Sequence, residues 1–172
     1  IGGLAGDAIT DADFNVAVGY EALTNNVLGS RSTALGRSAL NAQNPASATD
    51  MYNVAVGFNA GTAVTTGIQN TLIGGLAGDA ITTVSNTTAV GYSSLGANTT
   101  GSSNTAVGDV SAISNTTGSN LAAFGRYALY SNTTGSNNVG VGFQSLFSNT
   151  TASNNTAVGF QSLVANTTGA SN

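Results

Sequence analysis

The residues that usually do chemistry are scarce in this chain. Its 172 residues include no histidine, no cysteine and no lysine, three arginines and seven acids. General acid–base and nucleophilic catalysis rest mainly on the missing types, so the sequence predicts no enzyme, no cofactor and no metal. Ser38, in GRSAL, occupies a small-residue position of a repeat, and the sequence offers no base to activate it. Asp7 and Asp79 lie in two copies of GGLAGDAIT, a phrase rich in glycine and aspartate like calcium-binding repeats. It does not return every nine residues as those repeats require, and turn capping is the reading. GVGFQS at 140–145 lacks the third glycine of a dinucleotide loop. Arg31, Arg37 and Arg126 are too few for a basic patch and are expected as solvated positions. NTT phrases begin at Asn86, Asn98, Asn115, Asn132, Asn149 and Asn166, and NNT places Asn154 in the same acceptor pattern. These asparagines read as turn formers, and as glycan acceptors only in a secreted eukaryotic protein.

The elements that carry these residues are spelled out by a repeat. NNTAVGFQSLVANTTG at 154–169 restates NNVGVGFQSLFSNTTA at 137–152. The glycines closing each phrase are Gly2, Gly19, Gly36, Gly57, Gly74, Gly91, Gly108, Gly125, Gly142 and Gly159. They follow one another at 17 residues, except for a step of 21 between Gly36 and Gly57. The long step holds the only proline, Pro45, and predicts a bulging loop near 44–51. IGGLAGDAIT at 1–10 returns at 73–82. Both ends fall inside a unit, so residues 1–172 read as one array and a window on a longer chain.

Each unit reads as a short strand, a glycine corner, a second short segment and a polar turn. The site before the glycine is always apolar (Ile1, Val18, Leu35, Val56, Ile73, Val90, Val107, Phe124, Val141, Val158), and two residues earlier it is mostly β-branched. Period-two alternation of such residues predicts strand, with these two sites turned to the core. Between them lies a small residue, Ala in most units and Leu72 in one. A small residue on the outer face, and only about three large apolar residues per unit, point to several chains covering one another. Leu72 would be relieved by Gly74 and Gly75. Stacked in parallel, ten units make a rod of about 50 Å. The fold class expected is all-β: a parallel β-solenoid or β-roll of ten 17-residue repeats, assembled as a parallel homotrimer.

The phrases NVAVGYEAL, NTAVGDVSA, NVGVGFQSL and NTAVGFQSL resemble the head repeats of trimeric autotransporter adhesins. They are also similar to repeats of bacterial and phage fibre proteins that end in a self-cleaving chaperone domain of the tail-spike type. The resemblance covers the whole chain and implies left-handed parallel β-rolls, three chains side by side, serving in attachment.

The charge balance is −4, with 6% charged residues against roughly 25% in an ordinary soluble domain. Nucleic acid requires a cationic footprint that is missing here. No apolar run reaches the length of about 20 residues needed to cross a membrane. The functional expectation is therefore a structural or adhesive segment of an extracellular fibre: a surface adhesin, a secreted filament or a virion fibre. Its partner is itself, as trimer or filament, with a surface glycan or protein receptor as a further one. The alternatives are a receptor- or glycan-binding fibre head, using the loop at 44–51, DVSAI at 109–113, or Arg126, Tyr127 and Tyr130; and an ice-binding solenoid. The last would use Thr99, Thr116, Thr133, Thr150 and Thr167, a ladder expected to fail around Val27, Asn44 and Thr82.

Overall fold

A computed structural model describes residues 2–172. Among these, eleven short strands and no helix are found. Nine form one parallel sheet in chain order: β1 Val16–Val18, β3 Thr33–Leu35, β5 Val54–Val56, β6 Thr71–Ile73, β7 Thr88–Val90, β8 Thr105–Val107, β9 Ala122–Phe124, β10 Val139–Val141 and β11 Thr156–Val158. β2 Gly29–Ser30 and β4 Thr49–Asp50 form a second, two-stranded parallel sheet. Parallel strands need a crossover, and here the remainder of each coil supplies it. Register follows the repeat position by position: Thr88 faces Thr105, Ala89 faces Ala106 and Val90 faces Val107. The fold is a parallel β-solenoid. At about 4.8 Å per step, the steps from β1 to β11 span about 38 Å.

Residues 2–10 of the first unit join this stack through backbone bonds. Gly6 N–H donates to Ala22 O at 2.9 Å and Glu21 N–H to Gly3 O at 3.0 Å. Ile1, the pre-glycine residue of that unit, lies outside the described residues. The 21-residue step resumes the register at Asn53, after an insertion that lets β4 pair with β2 and buries Met51 and Pro45.

The corner glycines are dictated by backbone approach. Gly91 has φ +132°, and a Cβ there would collide with the carbonyl oxygen of Gly108 in the next coil. Glycines lie directly over glycines, so no side chain fits at this corner.

The inside and outside of the strand are reversed from the sequence expectation. The small site faces inward: Ala34, Ala55, Ala89, Ala106, Ala123 and Ala157 are buried. The pre-glycine residues face outward, and Leu35, Ile73, Phe124 and Val158 are among the exposed large hydrophobics. The reason is the width of the coil. A 17-residue turn encloses little space, and much of it is taken by leucines from the opposite wall, Leu23, Leu40, Leu95, Leu129 and Leu146, all fully buried. Only a methyl group fits between them and the strand. Ala is therefore explained by the chain's own interior, without a neighbouring chain.

Leu72 is the exception that tests this. Its room comes from Gly61 and Gly78 of the flanking coils, not from Gly74 and Gly75. A Cβ on Gly78 would stand 2.8 Å from Leu72 Cδ2 and 2.8 Å from Ile81 Cδ1.

Candidate interaction surface

The asparagines of the NTT phrases are core residues. Asn98, Asn115, Asn132 and Asn149 are fully buried. Each Nδ2 donates to the carbonyl three residues on: Gly101 at 2.8 Å, Gly118 at 2.9 Å, Gly135 at 2.9 Å and Ala152 at 3.0 Å. From Asn115 on, each ladder Asn also donates back to the Asn one coil earlier: Asn115 to Asn98 Oδ1 at 2.7 Å, Asn132 to Asn115 at 2.9 Å, Asn149 to Asn132 at 2.8 Å and Asn166 to Asn149 at 3.1 Å. Asn115, Asn132 and Asn149 thus have both amide hydrogens engaged inside the coil, and Asn98 is fully buried beside them. Asn166 is half-buried at the end of the same ladder. Asn86 and Asn154 stand on an exposed corner.

A second buried ladder escaped the sequence reading. It runs through Asn15, Asn53, Asn70, Asn104, Asn138, Asn155 and Asn172, at the site just before each strand. The Oδ1 of one accepts from the backbone N–H of the same site one coil on: Asn53 from Asn70 at 2.9 Å, Asn70 from Thr87 at 3.0 Å, Asn104 from Leu121 at 2.9 Å and Asn138 from Asn155 at 2.9 Å. The Nδ2 donates to a carbonyl further round the coil, as Asn53 does to Gly67 O at 2.7 Å and Asn104 to Gly118 O at 2.8 Å. A side-chain amide thus stands in for a strand-to-strand bond where the chain is bending. Ser32, Thr87 and Leu121 interrupt it, and the buried Thr87 Oγ1 is left without a partner.

The remaining chemical candidates stay apart. Ser38 lies two residues after its corner glycine, at φ 54°, and not at the strand's small site. Its Oγ donates to Glu21 Oε2 at 3.2 Å, a carboxylate one repeat earlier in the chain. Burial raises the Asp79 carboxyl above the ordinary range, while a backbone hydrogen bond works against it; Asp7, its counterpart, is exposed. Among the described residues no three of His, Cys, Asp and Glu gather, and no pocket opens. In GVGFQS, Gly140 is buried in the strand and Gly142 is a corner glycine pressed on Gly159, so the phrase cradles nothing.

The threonine ladder starts earlier than expected. Val27 and Asn44 interrupt it, but Thr65 donates its Oγ1 to Thr82 O at 3.2 Å. Thr99, Thr116, Thr133 and Thr150 repeat that bond to the next coil at 3.1, 3.0, 3.1 and 3.3 Å. These hydroxyls close the turn and do not face outward as a free array.

The outward face of the strands is apolar. Every strand of the nine-stranded sheet presents its pre-glycine residue to the exterior, with Leu35 45% exposed in mid-stack. Beside that column, across the glycine corner, runs a second one holding Tyr20, Phe58, Tyr92, Phe143 and Phe160, with Phe160 73% exposed. Arg37 lies in this second column between Tyr20 and Phe58, its guanidinium carbon 6.0 and 5.3 Å from their ring centroids. Arg126 pairs with Asp109 at 3.1 Å and lies 4.5 Å over the Tyr127 ring. Arg31 lies 4.8 Å over Phe14. All three arginines, expected as plain solvated positions, rest on aromatic faces. Tyr130 stacks on Phe147 at 5.0 Å and Phe143 on Phe160 at 5.6 Å, with Tyr127 edge-on between the pairs.

Fold and surface together define a class: a narrow parallel β-solenoid with a polar-laddered core and a continuous apolar stripe on its outer wall. Comparison with protein families, with characterised proteins and with solved structures finds no match to this chain. No helix among the described residues is long and apolar enough to cross a membrane.

Proposed function

We propose that the chain is a structural and adhesive segment of an extracellular fibre in which three parallel copies lie side by side, stripe against stripe. The observation that carries this is the outward pre-glycine column, apolar in all nine strands. Apolar surface of this extent is costly in water, and contiguous patches beyond a few hundred Å² on a soluble chain mark contact surfaces. The spacing favours a second copy as the partner. A ladder with a step of about 4.8 Å is matched side chain for side chain over this length only by another ladder of the same pitch, and a second copy has it. The pre-glycine column itself carries no charge to oppose close approach, while Arg37, Asp109 and Arg126 stand in the column beside it. Ladders of backbone, Asn and Thr bonds running along one axis make the coil a stiff spacer, suited to holding an attachment surface away from its anchor.

Sedimentation equilibrium of residues 1–172 tests the assembly. The expected particle has three times the 16.8 kDa mass of one chain, and Val90→Asn with Val107→Asn reduces it to monomer. A wild-type chain that sediments as a folded monomer at all concentrations overturns the proposal.

A further inference from the structure

The only break in the 17-residue period builds a local constellation that the core does not need. Consider the corner site five residues before each corner glycine. From the fifth coil on it is polar: Gln69, Asn86, Ser103, Asn120, Asn137 and Asn154. In three successive earlier coils it is Phe14, Arg31 and Tyr52. All three adopt left-handed backbone, with φ of 60°, 63° and 51°. This conformation suits Gly and Asn and is unfavourable for bulky residues. No burial compensates for it, since Phe14 is 74% and Tyr52 51% exposed. Local strain combined with exposed aromatic surface is a pattern that stability does not select.

Polar groups fix the arrangement. Arg31 Nε pairs with Asp50 Oδ1 at 2.9 Å, and its guanidinium lies 4.8 Å over Phe14. Tyr52 OH donates to Asp50 Oδ2 at 3.2 Å. The inserted residues bring Asp50 there, through the β2–β4 pairing of Ser30 with Asp50. Met51, fully buried, plugs the core beneath. Among the described residues, neither the Phe14 nor the Tyr52 ring packs on another ring. The C-terminal aromatics differ, because Tyr130 with Phe147 and Phe143 with Phe160 cover one another's faces.

We propose that this corner binds a neutral saccharide. The Tyr52 ring receives the C–H face of a pyranose, and the Arg31 Nη atoms and the Asp50 carboxylate bond its hydroxyls, with Phe14 beneath the guanidinium holding Arg31 in place. Asp13 flanks the corner, its backbone carbonyl accepting from Arg31 N–H at 2.9 Å. With Asp13 and Asp50 against Arg31, the local balance is negative and disfavours an anionic ligand. From Phe14 to Tyr52 the patch spans two coil steps, about 10 Å, too short for the roughly 800 Å² that each partner contributes to a standard protein interface. The site is complete within one chain, so it stands or falls separately from the trimer.

A printed array of neutral hexose and N-acetylhexosamine oligosaccharides, with sialylated and sulfated ones alongside, tests it on the purified chain. The expected result is binding to neutral glycans that falls at least tenfold in Tyr52→Ala and in Arg31→Gln. Phe160→Ala, at the other end, leaves it unchanged, and thermal melts of all variants establish that they are folded. Absence of binding, binding to acidic glycans only, or equal binding by folded Tyr52→Ala overturns the proposal. So does a change in sedimentation in place of a change in binding, which would make the corner a contact with a second copy.

Discussion

Two stretches of the rod solve the same packing problem with opposite chemistry. From Leu95 to Asn166, most coils fill their interior with a leucine four residues past the corner and a buried Asn three residues further on. Around Gly61 and Gly78 the leucine is replaced by glycine and the Asn by Val64 or Ile81, both fully buried. In the first arrangement the leucine adopts left-handed backbone, with φ 52° at Leu95 and Leu129. That conformation costs about 1–2 kcal/mol, offset by the roughly 1.5–3 kcal/mol gained on burying the side chain. In the second the glycine adopts the same corner without strain, and the apolar residue reaches across into the space it leaves. The lesson is that the polar ladder is one of two interchangeable fillings. The glycine occurs only with a larger apolar residue three positions on, whereas the buried Asn tolerates Ala112 in place of the leucine, so it is the glycine filling that must change at several sites together.

The largest test of the comparison is removal of a ladder rung. Asn132→Ala takes away donors to Asn115 Oδ1 and Gly135 O and the acceptor for Asn149 Nδ2. Stranding several buried polar groups at about 1–3 kcal/mol each gives a loss of about 4 kcal/mol in urea unfolding. Next, Gly78→Leu installs half of the other arrangement. It meets Ile81 and Leu72 at 2.8 Å, and overpacking with left-handed strain costs about 3 kcal/mol. Adding Ile81→Asn and Leu72→Ala completes the conversion and recovers most of that loss. A triple variant no more stable than Gly78→Leu would show that the two fillings are not interchangeable. The smallest effect is a gain. Thr87→Asn repairs the second ladder, replacing an unpaired buried hydroxyl by an amide aimed at the next coil, and raises stability by about 1 kcal/mol.

Much of this architecture was legible before the fold was known, and the exceptions have physical reasons. The glycine spacing gave the coil because register is set by period alone. Alternation showed which residues share a strand face but not which face is inside. With Val on one side and Ala on the other, hydrophobicity favours the wrong answer, and only the narrow cross-section reverses it. The NTT asparagines read as turn formers because their composition is that of a turn. Their burial follows from amide-to-amide contact between coils, which no local window contains. Ser32, Thr87 and Leu121 blurred the second ladder. Arg126 and Asp109 are separated by one repeat, so their ion pair was recoverable from the period, whereas the insertion between Arg31 and Asp50 concealed theirs.

The central claim is that the strand's small site looks into its own coil while the pre-glycine site looks toward a copy of the chain. The chain has no cysteine, so a single introduced thiol reports its surroundings without background. Val107→Cys, mid-rod on the stripe, is compared with Thr134→Cys on the exposed turn, each under mild oxidant at the same protein concentration. Parallel in-register copies bring equivalent thiols to one level, and the account predicts rapid covalent dimers from Val107→Cys, levelling off near two-thirds of the chains because each trimer leaves one thiol unpaired, and few from Thr134→Cys. Equal, slow cross-linking at both positions would contradict it.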